Sequence, residues 1–177
     1  MRNVAVTYDG ATAESLATSL ALPRVVVMDE VPSTMDVARE LADQGAPAGS
    51  LVLADAQKAG RGRAGRPWES RAGDGIWLTL LERLNDSAAL DVLSLRVGLR
   101  AARALDRFAP ARISLKWPND LLLRDGKLGG ILVESRWRGD RPAWTSAAVA
   151  AMRAVSTQSS VSRTSSQPRP ATRRASA

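Results

Sequence analysis

Six strand-like runs with only a few helix-like stretches between them constrain the fold more than any other feature of the chain. The runs are Arg24–Met28, Ser50–Gln57, Ile76–Leu81, Arg112–Trp117, Leu121–Leu123 and Gly130–Ser135, rich in Val, Ile and Leu. Between them the helical pattern is confined to 12–20, to a segment opened by Ser33-Thr34-Met35-Asp36, and to 88–108. Ser33 is a natural N-cap with an acid three residues later, Val37, Ala38 and Leu41 share a face, and Gly45 supplies the stop. In 88–108, Leu90, Leu93, Val97, Ala101, Leu105 and Phe108 recur at helical spacing. Arg124-Asp125-Gly126-Lys127 joins the last two strands, and Asp-Gly is a hairpin signal. This order does not repeat βαβ units. It predicts an α+β fold with a mixed, mainly antiparallel sheet and few helices.

Chemistry is narrowed by two absences, since the chain has no cysteine and no histidine. Disulfides, thiolate zinc sites, cysteine nucleophiles and His-based triads are excluded. Carboxylates, lysines, arginines and hydroxyls remain. The N-terminus carries no secretory pattern and no stretch approaches 18 consecutive apolar residues, so a cytoplasmic protein without a membrane partner is expected.

The net charge of +7 is unevenly spread. Residues 1–140 carry 19 Lys and Arg against 18 Asp and Glu, whereas 141–177 carry six Arg and no acid. From Ser156 to Ala177 there are seven Ser, three Thr, four Arg and two Pro, a composition expected to be disordered because it buries too little to offset ordering entropy. Thr145–Val155 reads as a short helix with little to pack against. The expected division is a body over 1–144 and a divergent low-complexity tail over 145–177.

Three segments stand out chemically. Gly60-Arg61-Gly62-Arg63-Ala64-Gly65 matches G-x-G-x-x-G after a strand, but Arg66-Pro67-Trp68 and Gly73-Asp74-Gly75 continue as loop where a dinucleotide site needs a helix. A Gly-hinged loop whose Arg61, Arg63 and Arg66 close over phosphate fits better, against the plainer reading of a solvated basic loop. Lys116-Trp117-Pro118-Asn119-Asp120 reads equally as a turn or as a site holding Mg²⁺–phosphate through Asp120 and an adenine or sugar through Trp117 and Asn119. Lys127 is an ordinary turn lysine unless the glycines Gly129-Gly130 admit a ligand close to the backbone.

Taken together, Ser33-Thr34, the run Gln57–Trp68, Lys116–Leu121 and Lys127-Leu128-Gly129-Gly130-Ile131-Leu132 resemble, in order and spacing, the catalytic domain of biotin protein ligases over residues 25–138. The resemblance implies the biotin/lipoate ligase type of fold and an enzyme that joins biotin to ATP. It would form biotinyl-5′-AMP and pyrophosphate, then pass the biotinyl group to a lysine of a carboxyl carrier protein of acetyl-CoA carboxylase or a related carboxylase. Ser33, Thr34 and Gln57 would line the biotin pocket, and Arg61, Gly62 and Arg63 would order over the adenylate. Lys127 would hold the biotin carboxylate, with Arg63 its catalytic companion. Arg61, Arg63, Trp68, Lys116, Asn119 and Asp120 would face ATP. Mg²⁺ would arrive with ATP near Asp120, with no metal site fixed by protein alone.

The chain departs from the family pattern at Met35, where many relatives carry Asn, and from Thr145 onward. There the family continues with a hydrophobic strand and a small β-barrel. The expectation is therefore a catalytic domain lacking its last sheet strand, with an exposed edge in its place. No DNA-binding domain is expected, since about 24 residues precede the first strand. Competing expectations are a catalytically impaired remnant, a lipoate or octanoate ligase relative, and weak nucleic-acid binding through the Arg-rich tail.

Overall fold

A computed structural model describes residues 6–84, 89–90 and 92–152. The expected disorder of 156–177 and the tail's nucleic-acid binding lie outside the described residues. The elements are β1 (Thr7–Tyr8), β2 (Ala11–Thr12), α1 (Ala13–Leu20), β3 (Val25–Val31), α2 (Thr34–Asp43), β4 (Leu51–Gln57), β5 (Gly75–Glu82), α3 (Leu93–Leu105), β6 (Ile113–Lys116), β7 (Asp120–Leu123), β8 (Gly126–Arg138) and β9 (Arg141–Met152). The α+β expectation holds. One seven-stranded sheet has the order β3-β4-β5-β9-β8-β7-β6, antiparallel throughout except for the parallel β3–β4 pair. The crossover between β3 and β4 is α2, as a parallel pair requires.

Local chemistry explains most elements. Ser33 caps α2, its Oγ accepting from the Met35 amide, and the helix ends before Gly45 at φ +82, a conformation other residues adopt at a cost. α2 packs Ala38, Leu41 and Ala42 on Val52, Leu81 and Trp144. Val25, Leu51 and Leu53, which alternate with Val52, face Leu16 and Tyr8 on the opposite side. α3 covers Ile113, Leu121, Leu128 and Ile131. Through the register Ile131–Val149–Leu78, α3 shares the face of α1. It is shorter than 88–108, starting at Leu93 without a side-chain cap and ending in a 3₁₀ turn over Asp106–Phe108. The β7–β8 hairpin forms where expected but turns on Arg124-Asp125. Leu123 faces Gly126 and Arg124 takes φ +53, so Asp-Gly sits one residue off the apex.

The principal correction concerns 145–152. This run is neither helical nor tail: it is the inner part of β9, the middle strand of the sheet. It pairs with β5 from Thr145–Glu82 to Met152–Gly75 and with β8 from Ser135–Thr145 to Gly129–Ala151. The strand expected to be missing is present, and the sheet edges are β3 and β6 instead. The run misleads because Ala is the strongest helix former, and because Thr145, Ser146, Ala147 and Ala151 are all buried, which erases the two-residue alternation of a half-exposed strand. Small side chains are suited to this position, where the Gly129 Cα lies against the Ala150 carbonyl.

Candidate functional site

On the α2 face, a cleft of about 520 Å³ opens beside the helix N-terminus. Six groups of residues line it: Ser33–Met35, Gln57, the loop from Arg61 to Trp68, Trp77 and Leu78 of β5, Pro118–Asp120 with Lys127 and Gly130–Leu132, and Ala148–Ala150 of β9. The last stretch escaped sequence reasoning because its strand did.

Part of the lining is neutral and hydrogen-bonded. Thr79 Oγ1 donates to Thr34 Oγ1 at 2.8 Å, Thr34 Oγ1 and its amide donate to Gln57 Oε1 at 3.1 and 2.8 Å, and Gln57 Nε2 donates to Ser70 Oγ at 2.8 Å. Thr34 and Thr79 are buried, so the chain of hydroxyls fixes the Gln57 amide from below. Ser70 and Thr79 carried no sequence signal. Met35 is 3% exposed, and its sulfur accepts from Ser146 Oγ at 3.6 Å. Replacing Thr34 with Val keeps shape but strands the Thr79 hydroxyl, and is expected to cost about 1–3 kcal/mol in a urea melt.

Another part is cationic, with Arg61, Arg63, Arg66 and Lys127 among the lining residues. Lys127 Nζ lies 2.8 Å from Asp120 Oδ1 and 5.2 Å from the centre of the Trp68 ring. The Trp68 Nε1 donor is buried without an acceptor among the described residues. Asp120 is the only carboxylate lining the cleft among the described residues, and no cluster of three potential metal ligands occurs among them. Asn119 is held by β8, donating from Nδ2 to the Ile131 carbonyl and accepting from the Ile131 amide, both at 2.9 Å. Trp117, joined to Pro118 by a cis peptide, is 74% exposed. Lys116 ends β6 opposite Asp120 and is exposed, away from the cleft wall.

The Gly/Arg loop opens no α-helix; a 3₁₀ turn over Arg63–Gly65 forms its tip. Arg61 makes a bidentate pair with Asp36 at 2.9 and 2.8 Å. Hydrogen bonding from Arg61 outweighs burial and holds the Asp36 carboxyl below its ordinary range, while the same bond raises Arg61. Arg63 and Arg66 are exposed and form no ion pair among the described residues. The cleft thus combines a fixed polar network with cations suited to an anionic group.

Residues 27–144 match the model of the Biotin/lipoate A/B protein ligase family. The chain is 37% identical over 127 residues to the bifunctional ligase/repressor BirA of Bacillus spizizenii, covering 71% of this chain and 39% of that protein. Over 91 residues it is 44% identical to the biotin–[acetyl-CoA-carboxylase] ligase of Mycobacterium tuberculosis, 49% of this chain and 34% of that one. It therefore spans well under half of these curated relatives. Among solved structures, it is similar to a biotin protein ligase from Leishmania major in complex with biotinyl-5-AMP, with TM-score 0.62 and 30% identity over 73% of this chain and 57% of that one. It is also similar to one from Aquifex aeolicus in complex with biotin and ATP, with TM-score 0.60 and 31% identity over 73% and 52%.

Proposed function

This chain belongs to the biotin/lipoate A/B protein ligase family, and on that premise we propose that its cleft activates biotin with ATP and hands the biotinyl group to a lysine of a carboxylase's biotin carrier domain. The observation that carries the reading is that one cavity is lined both by the hydrogen-bonded Thr34–Gln57 pair and by Lys127 and Arg63. A ureido ring needs fixed donors and acceptors; a carboxylate beside a triphosphate needs cations. Both are supplied within one volume.

In the first step a biotin carboxylate oxygen attacks the α-phosphorus, the bond to the β-phosphate oxygen breaks, and pyrophosphate leaves with its electron pair. In the second, a neutral lysine amine attacks the acyl carbon, AMP departs, and the amine loses a proton. Ser33, Thr34 and Gln57 orient the ureido end. Lys127 and Arg63 counter the charge of carboxylate and phosphate, where fixed cations act without reorganisation. Trp68 flanks the nucleotide, Asn119 and Asp120 bound its phosphate side, and Mg²⁺ enters with ATP rather than in a site of the chain's own. Lys116 is the weakest member of this set, being outside the cleft wall. Arg61, paired with Asp36, contributes chiefly its backbone and stem. No described helix is long and apolar enough to cross a membrane, and the cytoplasm, where ATP is abundant, suits the reaction.

The test is ATP–pyrophosphate exchange with the whole chain. Exchange that requires biotin is the expected result. Absence of exchange in folded protein would identify an impaired remnant, and exchange with octanoate or lipoate but not biotin would move the chain to the other branch of its family.

A further inference from the structure

The Gly/Arg loop is closed on itself by its own backbone. Gly60 O accepts from the Trp68 amide at 2.8 Å, the Gly62 amide donates to Arg66 O at 2.7 Å, and Arg61 bridges Pro67 as an antiparallel pair. Gly60 has no room for a side chain, since a Cβ there would lie 2.5 Å from Trp68 O. The loop is therefore a narrow arm tipped by Arg63–Gly65. Among the described residues, two charged contacts tie this arm to the body: Lys127 over Trp68, and Arg61 to Asp36. Lys127 is the residue that substrate engages in the reaction above, which leaves the Arg61–Asp36 pair as the contact able to persist throughout.

We propose that Asp36 is a positioning residue: by gripping Arg61 it fixes the arm against the first turn of α2, so that the tip and the Ser33–Thr34 wall keep one spacing. This inference rests on the ligase reading. Asp36 belongs to the turn that begins at the cleft-lining Ser33 and Thr34, and Arg61 sits at the arm's bridge, so one bidentate fork restrains both of its strands. Both side chains are 31% exposed, which gives the pair better shielding than a surface ion pair. Arg39, at 3.5 Å, is a second and looser partner of Asp36. Asp36 acts on substrate only through Arg61, and the guanidinium it occupies leaves Arg63 and Arg66 as the arm's unpaired cations lining the cleft among the described residues.

The test is Asp36→Asn, near-isosteric and uncharged. Tryptic cleavage between Arg63 and Ala64 in the ligand-free chain is expected to accelerate about tenfold, because the arm opens locally at less cost. In the exchange assay, KM for biotin and ATP should rise about tenfold with kcat reduced less than about threefold, the signature of lost binding alignment. Asp36→Glu should restore part of the loss, and Arg39→Gln should change neither readout. The pair Asp36→Asn/Arg61→Gln should be no worse than its worse single variant, since both remove one contact. This comparison, run below the melting midpoint of every variant, still decides if Asp36→Asn is less stable. Wild-type cleavage and KM in Asp36→Asn, or additive losses in the double variant, would overturn the inference while leaving the ligase reading intact. A wild-type chain without biotin-dependent exchange would overturn both.

Discussion

A chain stopped after Trp144 is expected to show no cooperative thermal transition, and to precipitate where the whole chain stays in solution. The cause is the place of the lost residues in the sheet. Thr145–Met152 pair with β5 on one side and β8 on the other, so their removal separates β3-β4-β5 from β8-β7-β6 and exposes two inner edges at once. Buried Ala147 and Ala151 go with them, and Leu81 and Ile131 lose the strand between their halves of the core. The ladder and core contacts at stake are large against the ~5–15 kcal/mol that holds a domain of this size. Gly129→Val tests the same point at full length: its Cβ would meet the Ala150 carbonyl, a backbone atom of the middle strand that cannot rotate away. It should cost at least about 3 kcal/mol in a denaturant melt, as overpacking against backbone does. A truncated chain with the midpoint of the whole one would refute the central role of β9.

Lys127→Ala is expected to lower biotin-dependent exchange by about 10²–10³-fold, the loss typical when a fixed charge facing a developing one is removed. Lys127 stands at the β8 start, half exposed, with Asp120 and the Trp68 ring as its partners. None of these contacts secures the core, so the thermal midpoint should stay within a few degrees of wild type, as for other surface substitutions. Lys127→Arg should not restore full activity, because a planar fork cannot occupy the position of a compact ammonium between Asp120 and the indole. Wild-type exchange in Lys127→Ala would remove Lys127 from the reaction and shift the burden to Arg63.

Much of the site was legible because its residues come in short clusters with local meaning. Ser33 announces itself as a cap, and the cap sets Thr34 and Met35 at the cleft. The Gly60–Gly65 run reads as a loop because nothing after it can start a helix. Contacts between clusters were not legible. Arg61 and Asp36 are 25 residues apart, and no periodicity links a loop arginine to a helix acid. Ser70 and Thr79 were overlooked for the same reason: a hydroxyl has no pattern until the backbone brings it to Gln57 and Thr34.

The sequence by itself determined most of the local elements, the fold class and the Ser33–Thr34, Gln57–Trp68 and Asn119–Lys127 clusters of the cleft, since capping, turn chemistry and strand propensity act between near neighbours. Only the tertiary structure decided that 145–152 is a strand. The helical propensity of an alanine-rich segment is outweighed by the unpaired hydrogen-bonding edges of β5 and β8, and the buried backbone groups of all three strands are satisfied only when it lies between them.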